Sequence, residues 1–169
     1  MKKVLKRLTR LLFFAVIAMM IALIPDIYHY NTIRVGTLKA AQFEERLLER
    51  AKRNEPMRLV ELTPFQWDRM VVMGPYTSRD MMEELKGVQW TTARTYFGYR
   101  MEKEFLLGCE MCYDSLNKLV FLKGDRVMAD VTLDSWDLDF TGIKTVIREQ
   151  DPVFAKLSAQ EPRVKLMGA

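Results

Sequence analysis

The sequence predicts an α+β protein with an amino-terminal transmembrane helix, a juxtamembrane amphipathic helix, and a small antiparallel sheet with one or two packed helices. Three observations carry this expectation. Residues 11–24, LLFFAVIAMMIALI, are fourteen apolar residues without a charge. Residues 37–53 place apolar side chains at helical spacing. Residues 119–133 read as two strands around a tight glycine turn, with no βαβ alternation anywhere in the chain.

The apolar run follows the basic leader MKKVLKRLTR. Fourteen helical residues rise only about 21 Å, short of a hydrocarbon core of roughly 30 Å, so length alone favours a signal peptide. The flanks argue for an uncleaved anchor. No A-x-A site and no lipobox cysteine follows Ile24. Lys6, Arg7 and Arg10 can snorkel, and Tyr28 and Tyr30 suit the opposite interface. Residues 1–10 carry Lys2, Lys3, Lys6, Arg7 and Arg10 and no acid. The positive-inside rule keeps such a segment in the cytoplasm. The expected organisation is a cytoplasmic basic tail (1–10), a transmembrane signal anchor (11–30), a juxtamembrane connector and helix (31–56), and an extracytoplasmic α+β domain (57–169). The expected location is the bacterial inner membrane, with the domain periplasmic or extracellular.

The formal charge of +4 over 169 residues does not point to nucleic acid. Residues 1–10 alone contribute +5, whereas residues 57–169 hold fifteen basic and seventeen acidic side chains. The basic excess belongs to the leader and not to the domain.

After an extended connector at 31–36, Leu38, Ala41, Phe43, Leu47, Leu48 and Ala51 fall near one helical face, and Asn54 with Pro56 stops the helix. That helix either packs on the domain or lies along the membrane surface. Residues 58–62 (RLVEL) read as a strand, 63–64 as a turn, and 66–73 (QWDRMVVM) as a second strand ended by Gly74 and Pro75. Thr77 or Ser78 can cap a helix that has Asp80 in its first turn, Met81, Met82 and Leu85 inside, and Gly87 at its end. Residues 90–99 (WTTARTYFGY) suggest a loop and a short strand.

Residues 119–122 and 127–133 form the clearest hairpin, with Met128, Asp130 and Thr132 on a wet face and Val127, Ala129, Val131 and Leu133 on a dry one. Trp136, Leu138 and Phe140 continue that alternation. Residues 144–148 and 153–157 are short last elements, and 158–169 reads as a polar tail.

Few residues suggest chemistry. Cys109 and Cys112 form C-x-x-C, which fits a local disulfide, a pair of thiols, a redox dithiol or half of a metal site. Zinc needs two more ligands, and the one histidine, His29, lies beside the apolar run. Glu110 and Asp114 would raise a nearby thiol pKa and so oppose redox activation. Asp130, Asp134, Asp137 and Asp139 lack the spacing of a calcium loop and read as a solvated face. Serine hydrolase chemistry lacks a domain histidine, and the eight glycines form no phosphate loop. No catalytic residue, cofactor or metal is therefore expected.

The most distinctive text is Trp67 and Asp68, followed by Gly74, Pro75, Tyr76 and Thr77. It reads as a strand entering a rigid turn that launches a helix, with the tyrosine ring over the sheet end. The same end is the candidate ligand or interaction motif. Residues 65–80, FQWDRMVVMGPYTSRD, together with the LVFLKGDRV hairpin, resemble a segment of small, uncharacterised bacterial envelope proteins anchored by a lipid or one helix. The resemblance implies an extracytoplasmic α+β domain of unknown role and lends no catalytic residue. The expected function is binding of a protein partner without catalysis, in an accessory, immunity or inhibitor-like role. The alternatives are a thiol-disulfide protein using Cys109 and Cys112, or a subunit packed through its anchor helix into a larger membrane complex.

Overall fold

A computed structural model describes residues 2–77, 79–105, 111 and 113–167. The chain divides into two compact units, Met1–Ile33 and Arg34–Ala169.

The first unit is one helix, α1 (Lys2–Ile33), which runs through Pro25. Proline has no N–H to donate to the carbonyl four residues back, so the helix continues there at the cost of one bond. Residues 31–33, expected as extended connector, form its last turn. There Asn31 Nδ2 donates to the Ile27 carbonyl at 2.9 Å and Thr32 Oγ1 to that of His29 at 2.7 Å. The stretch Thr9–Ile33 has a mean hydropathy of 2.3 and spans 25 residues, with its most apolar part unburied. At 1.5 Å per residue that is about 37 Å, enough to cross a bilayer. A signal sequence can satisfy the same criteria of length and composition.

The second unit is α+β with two antiparallel sheets. Helix α2 (Thr37–Lys52) buries Ala40, Phe43, Leu47 and Ala51, a spacing of three or four that makes one stripe. Leu38 and Ala41, expected on that stripe, are exposed. Phe43 and Leu47 are fully buried, so α2 packs within the compact unit Arg34–Ala169.

A short strand β1 (Met57–Arg58) leads into one helical turn, α3 (Leu59–Leu62), where a strand was expected. The turn wins because it buries Leu59 and Leu62, three residues apart, on one side. Strand β2 (Arg69–Met73) is shorter than expected, since 66–68 form the bend before it. Helix α4 (Arg79–Lys86) ends at Gly87, whose φ of +63° suits glycine and whose N–H donates to the Glu83 carbonyl at 2.7 Å. Met81, expected inside, is half exposed.

Residues 96–99, expected to be loop and strand, open helix α5 (Tyr96–Phe105). Thr95 supplies the cap: its Oγ1 accepts the Gly98 N–H at 3.1 Å, satisfying an otherwise unpaired first-turn donor.

Strands β3 (Leu116–Lys123) and β4 (Arg126–Asp134) form the expected hairpin, longer than foreseen and closed by Gly124 and Asp125. A bulge at Met128 shifts the register between Phe121 and Leu122. Strand β5 (Thr145–Ile147) pairs with β2, giving the order β4-β3-β2-β5. Strands β6 (Val153–Ser158) and β7 (Glu161–Met167) form a second hairpin, joined by β1 into the sheet β1-β6-β7. The expected polar tail is thus a strand through 167. Only Val164 of β7 is buried, so its apolar signal was too thin to read.

Both faces of the larger sheet are covered. On one face Phe121 meets the rings of Phe43, Phe65 and Trp67 at centroid distances of 5.0, 5.2 and 5.3 Å, all edge-on. On the other, Val71, Met73, Val120 and Leu122 pack with Val35, Val88, Trp90 and Met111. The expectation of a single covered face does not hold.

Candidate functional site

Strand β2 separates the two halves of the W-D…G-P-Y-T segment. Trp67 and Asp68 precede it, and Gly74 to Thr77 follow it. Five strand residues put these halves about 17 Å apart, so they cannot make one site.

At the leading end, Trp67 is 1 % exposed. Its indole Nε1 donates to Thr63 Oγ1 at 3.0 Å, and that hydroxyl donates to the Leu59 carbonyl at 2.9 Å. The Asp68 carboxylate accepts the Gly124 N–H at 2.8 Å and so ties the β3–β4 turn to the start of β2. Trp67 and Asp68 also border an open cleft of about 790 Å³.

At the trailing end, Gly74, Pro75, Tyr76 and Thr77 form a tight turn. The Thr77 hydroxyl donates back to the Gly74 carbonyl at 2.8 Å, while Ser78, the alternative cap, lies outside the described residues. Tyr76 has a φ of +60°, unusual for a residue with a Cβ. Its N–H donates to the Met111 carbonyl at 2.6 Å and its hydroxyl donates to Asp114. That hydrogen bond to the Asp114 carboxylate, with smaller help from desolvation and the negative charge, raises the Tyr76 pKa above its usual value. The ring is 61 % exposed and does not cover the sheet end as expected.

Two further rings stand at the same end. Tyr113 precedes β3 and is 70 % exposed; Trp136 follows β4 and is 80 % exposed. Their turns are joined, since the Ser135 N–H donates to the Ser115 carbonyl at 2.6 Å. The Trp136 N–H donates to Asp134 Oδ1 at 2.9 Å, which closes the turn and turns the indole outward. Three large amphipathic rings are thus held on hydrogen-bonded turns at one end of the four-stranded sheet.

The aspartates expected to share a solvated face do not share one environment. Asp130 and Lys118 have side chains 2 % and 3 % exposed and pair at 3.1 Å. The Trp90 indole donates to the same carboxylate at 2.7 Å. Asp134 caps the Trp136 turn, Asp137 is exposed, and Asp139 pairs with Arg163 at 3.6 Å. Among the described residues no group of three or more His, Cys, Asp or Glu is placed to hold a metal. Cys109 and Cys112 lie outside the described residues.

Sequence reasoning named Tyr76 but missed Tyr113 and Trp136 as surface rings. The signal was local: D-S-W-D carries an Asx-turn residue two positions before the tryptophan. It also missed the Lys118–Asp130 pair, although Lys118 shares strand parity with buried Val120 and Leu122. Comparison with family models, curated proteins and solved structures found no match to this chain.

Proposed function

We propose that the chain is a single-pass protein of the bacterial inner membrane that presents its α+β domain outside the cytoplasm and binds a protein partner there without catalysis. The anchor reading rests on Thr9–Ile33, long and apolar enough to cross a bilayer, behind five basic residues and no acid. The binding reading rests on one observation, the outward rings of Tyr76, Tyr113 and Trp136 on linked turns. Tryptophan and tyrosine are the side chains that most often anchor protein interfaces, because they bury large area for few rotatable bonds. A ring held by its backbone loses less entropy on docking.

Photo-crosslinking in intact cells tests this. A crosslinker placed at Tyr113 or Trp136 of the full chain is expected to trap one defined partner, and one at Asp125, in the turn at the opposite end of the hairpin, is not. Equal trapping at all three positions, or none at the rings, refutes the assignment. Alkaline phosphatase fused after Ala169 is expected to be active, and a fluorescent reporter that folds only in the cytosol is expected to stay dark. The reverse pattern refutes the orientation.

A further inference from the structure

We propose that the ring-bearing end of the larger sheet takes an extended, arginine-bearing segment of the partner protein, with guanidinium groups stacked on the rings and paired with the neighbouring aspartates. This deepens the partner-binding reading and rests on it. Hydrogen bonds join the turns that carry the rings. The Tyr76 hydroxyl donates to the Asp114 carboxylate, which sets that ring beside the turn of Tyr113. The Ser135 N–H donates to the Ser115 carbonyl at 2.6 Å, which sets the turn of Trp136 beside the same one. Fully buried Asn117 clasps the Trp136 turn at both ends: its Nδ2 donates to the Leu133 carbonyl at 3.4 Å and to that of Leu138 at 2.9 Å. The turns are thus ordered before a partner arrives, which lowers the entropic cost of docking.

The charge at this end is one-sided. Residues 73–77 carry none, and in 113–118 and 130–138 the charged side chains are Asp114, Lys118, Asp130, Asp134 and Asp137. Lys118 and Asp130 are buried against each other, so Asp114, Asp134 and Asp137 remain, all exposed. Asp134 and Asp137 flank Trp136 in one turn, where the Asp137 N–H donates to the Asp134 carbonyl at 3.0 Å. The hydrogen bonds that Asp114 and Asp134 accept from Tyr76 and from the Trp136 N–H fix their place and leave their charge. Among the described residues none of the three is in an ion pair. Asp139 is offset by Arg163 at 3.6 Å. The Lys144 carbonyl accepts the Val72 N–H at 3.0 Å, which puts that cation across β2 from β3 and β4.

Arginine is the side chain that fits both features at once. Its flat guanidinium stacks on a tyrosine or tryptophan face and offers a fork of donors to a carboxylate, whereas a lysine ammonium is a strongly hydrated point charge. An apolar segment would desolvate three carboxylates without pairing them, and an acidic one would be repelled. Strands β2, β3 and β4 lie side by side, about 10 Å from β2 to β4. Two arginines two or three residues apart in an extended chain stand about 7–10 Å apart, which matches that width.

A fluorescently labelled, amidated heptapeptide in which arginine alternates with serine, titrated with the full chain in a neutral maltoside detergent, tests the proposal by anisotropy. Saturable one-to-one binding is expected, weaker at higher salt, and weakened about tenfold or more by Trp136→Ala and severalfold by Asp137→Asn. Asp125→Asn, at the far turn of the hairpin, leaves it unchanged. Replacing the peptide's arginines by lysine is expected to weaken binding, and by citrulline, which keeps the shape and loses the charge, to abolish it. Thermal melts verify the fold of each variant, and Tyr113→Ala removes a second exposed ring independently. A lysine, leucine or glutamate version of the peptide bound as tightly overturns the assignment. So does a dimer of the chain that Trp136→Ala dissociates, since a second copy then covers the rings. Arginine-peptide binding unchanged in both Trp136→Ala and Asp137→Asn overturns the site. Photo-crosslinking at Trp136 separates the two possible failures. A partner trapped there with no arginine peptide bound overturns the arginine chemistry and leaves the partner reading standing, whereas no trapping at the rings refutes both.

Discussion

Lys118 and Asp130 show how a single residue departs from its pattern. They are diagonal neighbours on adjacent strands, since Val120 is the register partner of Asp130 and Lys118 that of Thr132. Both were drawn under cover by Trp90, whose indole fills the carboxylate's second oxygen. A buried pair is costly to break by halves, because the remaining charge is left without compensation. Lys118→Met is therefore expected to destabilise the domain by about 3–5 kcal/mol in urea unfolding, and Lys118→Met with Asp130→Leu to recover much of that loss. A double variant as unstable as the single one would mean that the pair itself is stabilising. Glu44 on α2 behaves differently: desolvation by burial raises its pKa. The folded state then holds the proton more tightly than the unfolded chain, so stability is greatest below the ordinary carboxylate pKa and falls as pH rises through the raised one. Glu44→Gln is expected to remove that decline, making the variant's melting temperature higher than the parent's at pH 7 and equal to it near pH 4. A difference between variant and parent that does not grow from pH 4 to pH 7 excludes this account.

At the scale of elements, hairpin β3–β4 is the joint that fixes the larger sheet. Gly124 takes a φ of +54°, where a Cβ is strained, and its N–H is held by Asp68. Gly124→Ala and Asp68→Ala are each expected to cost about 1 kcal/mol in chemical denaturation, and the double variant less than their sum, because both loosen one turn. Strict additivity would show that the contact between Asp68 and the turn contributes nothing. This hairpin was legible in the sequence because its turn chemistry and its period of two agree. The α+β class, the end of α4 at Gly87 and the apolar first helix were legible for the same reason. Elements were misread where the two signals disagree. Helix α5 begins in aromatic, strand-like text, and Thr95 overrides it by capping. Turn α3 has a strand composition, but burial of Leu59 and Leu62 selects a helical turn. Strand β7 buries only Val164 and exposes Arg163, Lys165, Leu166 and Met167, so neither a period of two nor a turn signal marks it and it forms through pairing with β6. The aromatic end was half visible: the text of 65–77 marks Tyr76, but Tyr113 and Trp136 join it only through the pairing of β2, β3 and β4.

For the whole molecule, the proposed single-pass topology makes the amino-terminal decapeptide and the apolar helix behind it the elements that decide on which side the domain lies. In the proposed orientation the five basic residues remain cytoplasmic because translocating them is disfavoured, while residues 57–169, near charge balance, offer no competing retention signal. Residues 34–53 beyond the helix carry six basic side chains against the leader's five, but they open a segment far longer than about 60 residues, whose charges orient a helix weakly, so the leader is the stronger signal. Replacing Lys2, Lys3, Lys6, Arg7 and Arg10 with Gln leaves none before the helix and six beyond it. The variant is expected to lose most alkaline phosphatase activity from a carboxyl-terminal fusion and to gain fluorescence from the cytosolic reporter. If the variant keeps full phosphatase activity, the leader charges do not set the orientation, and the length of Thr9–Ile33 alone would have to account for export.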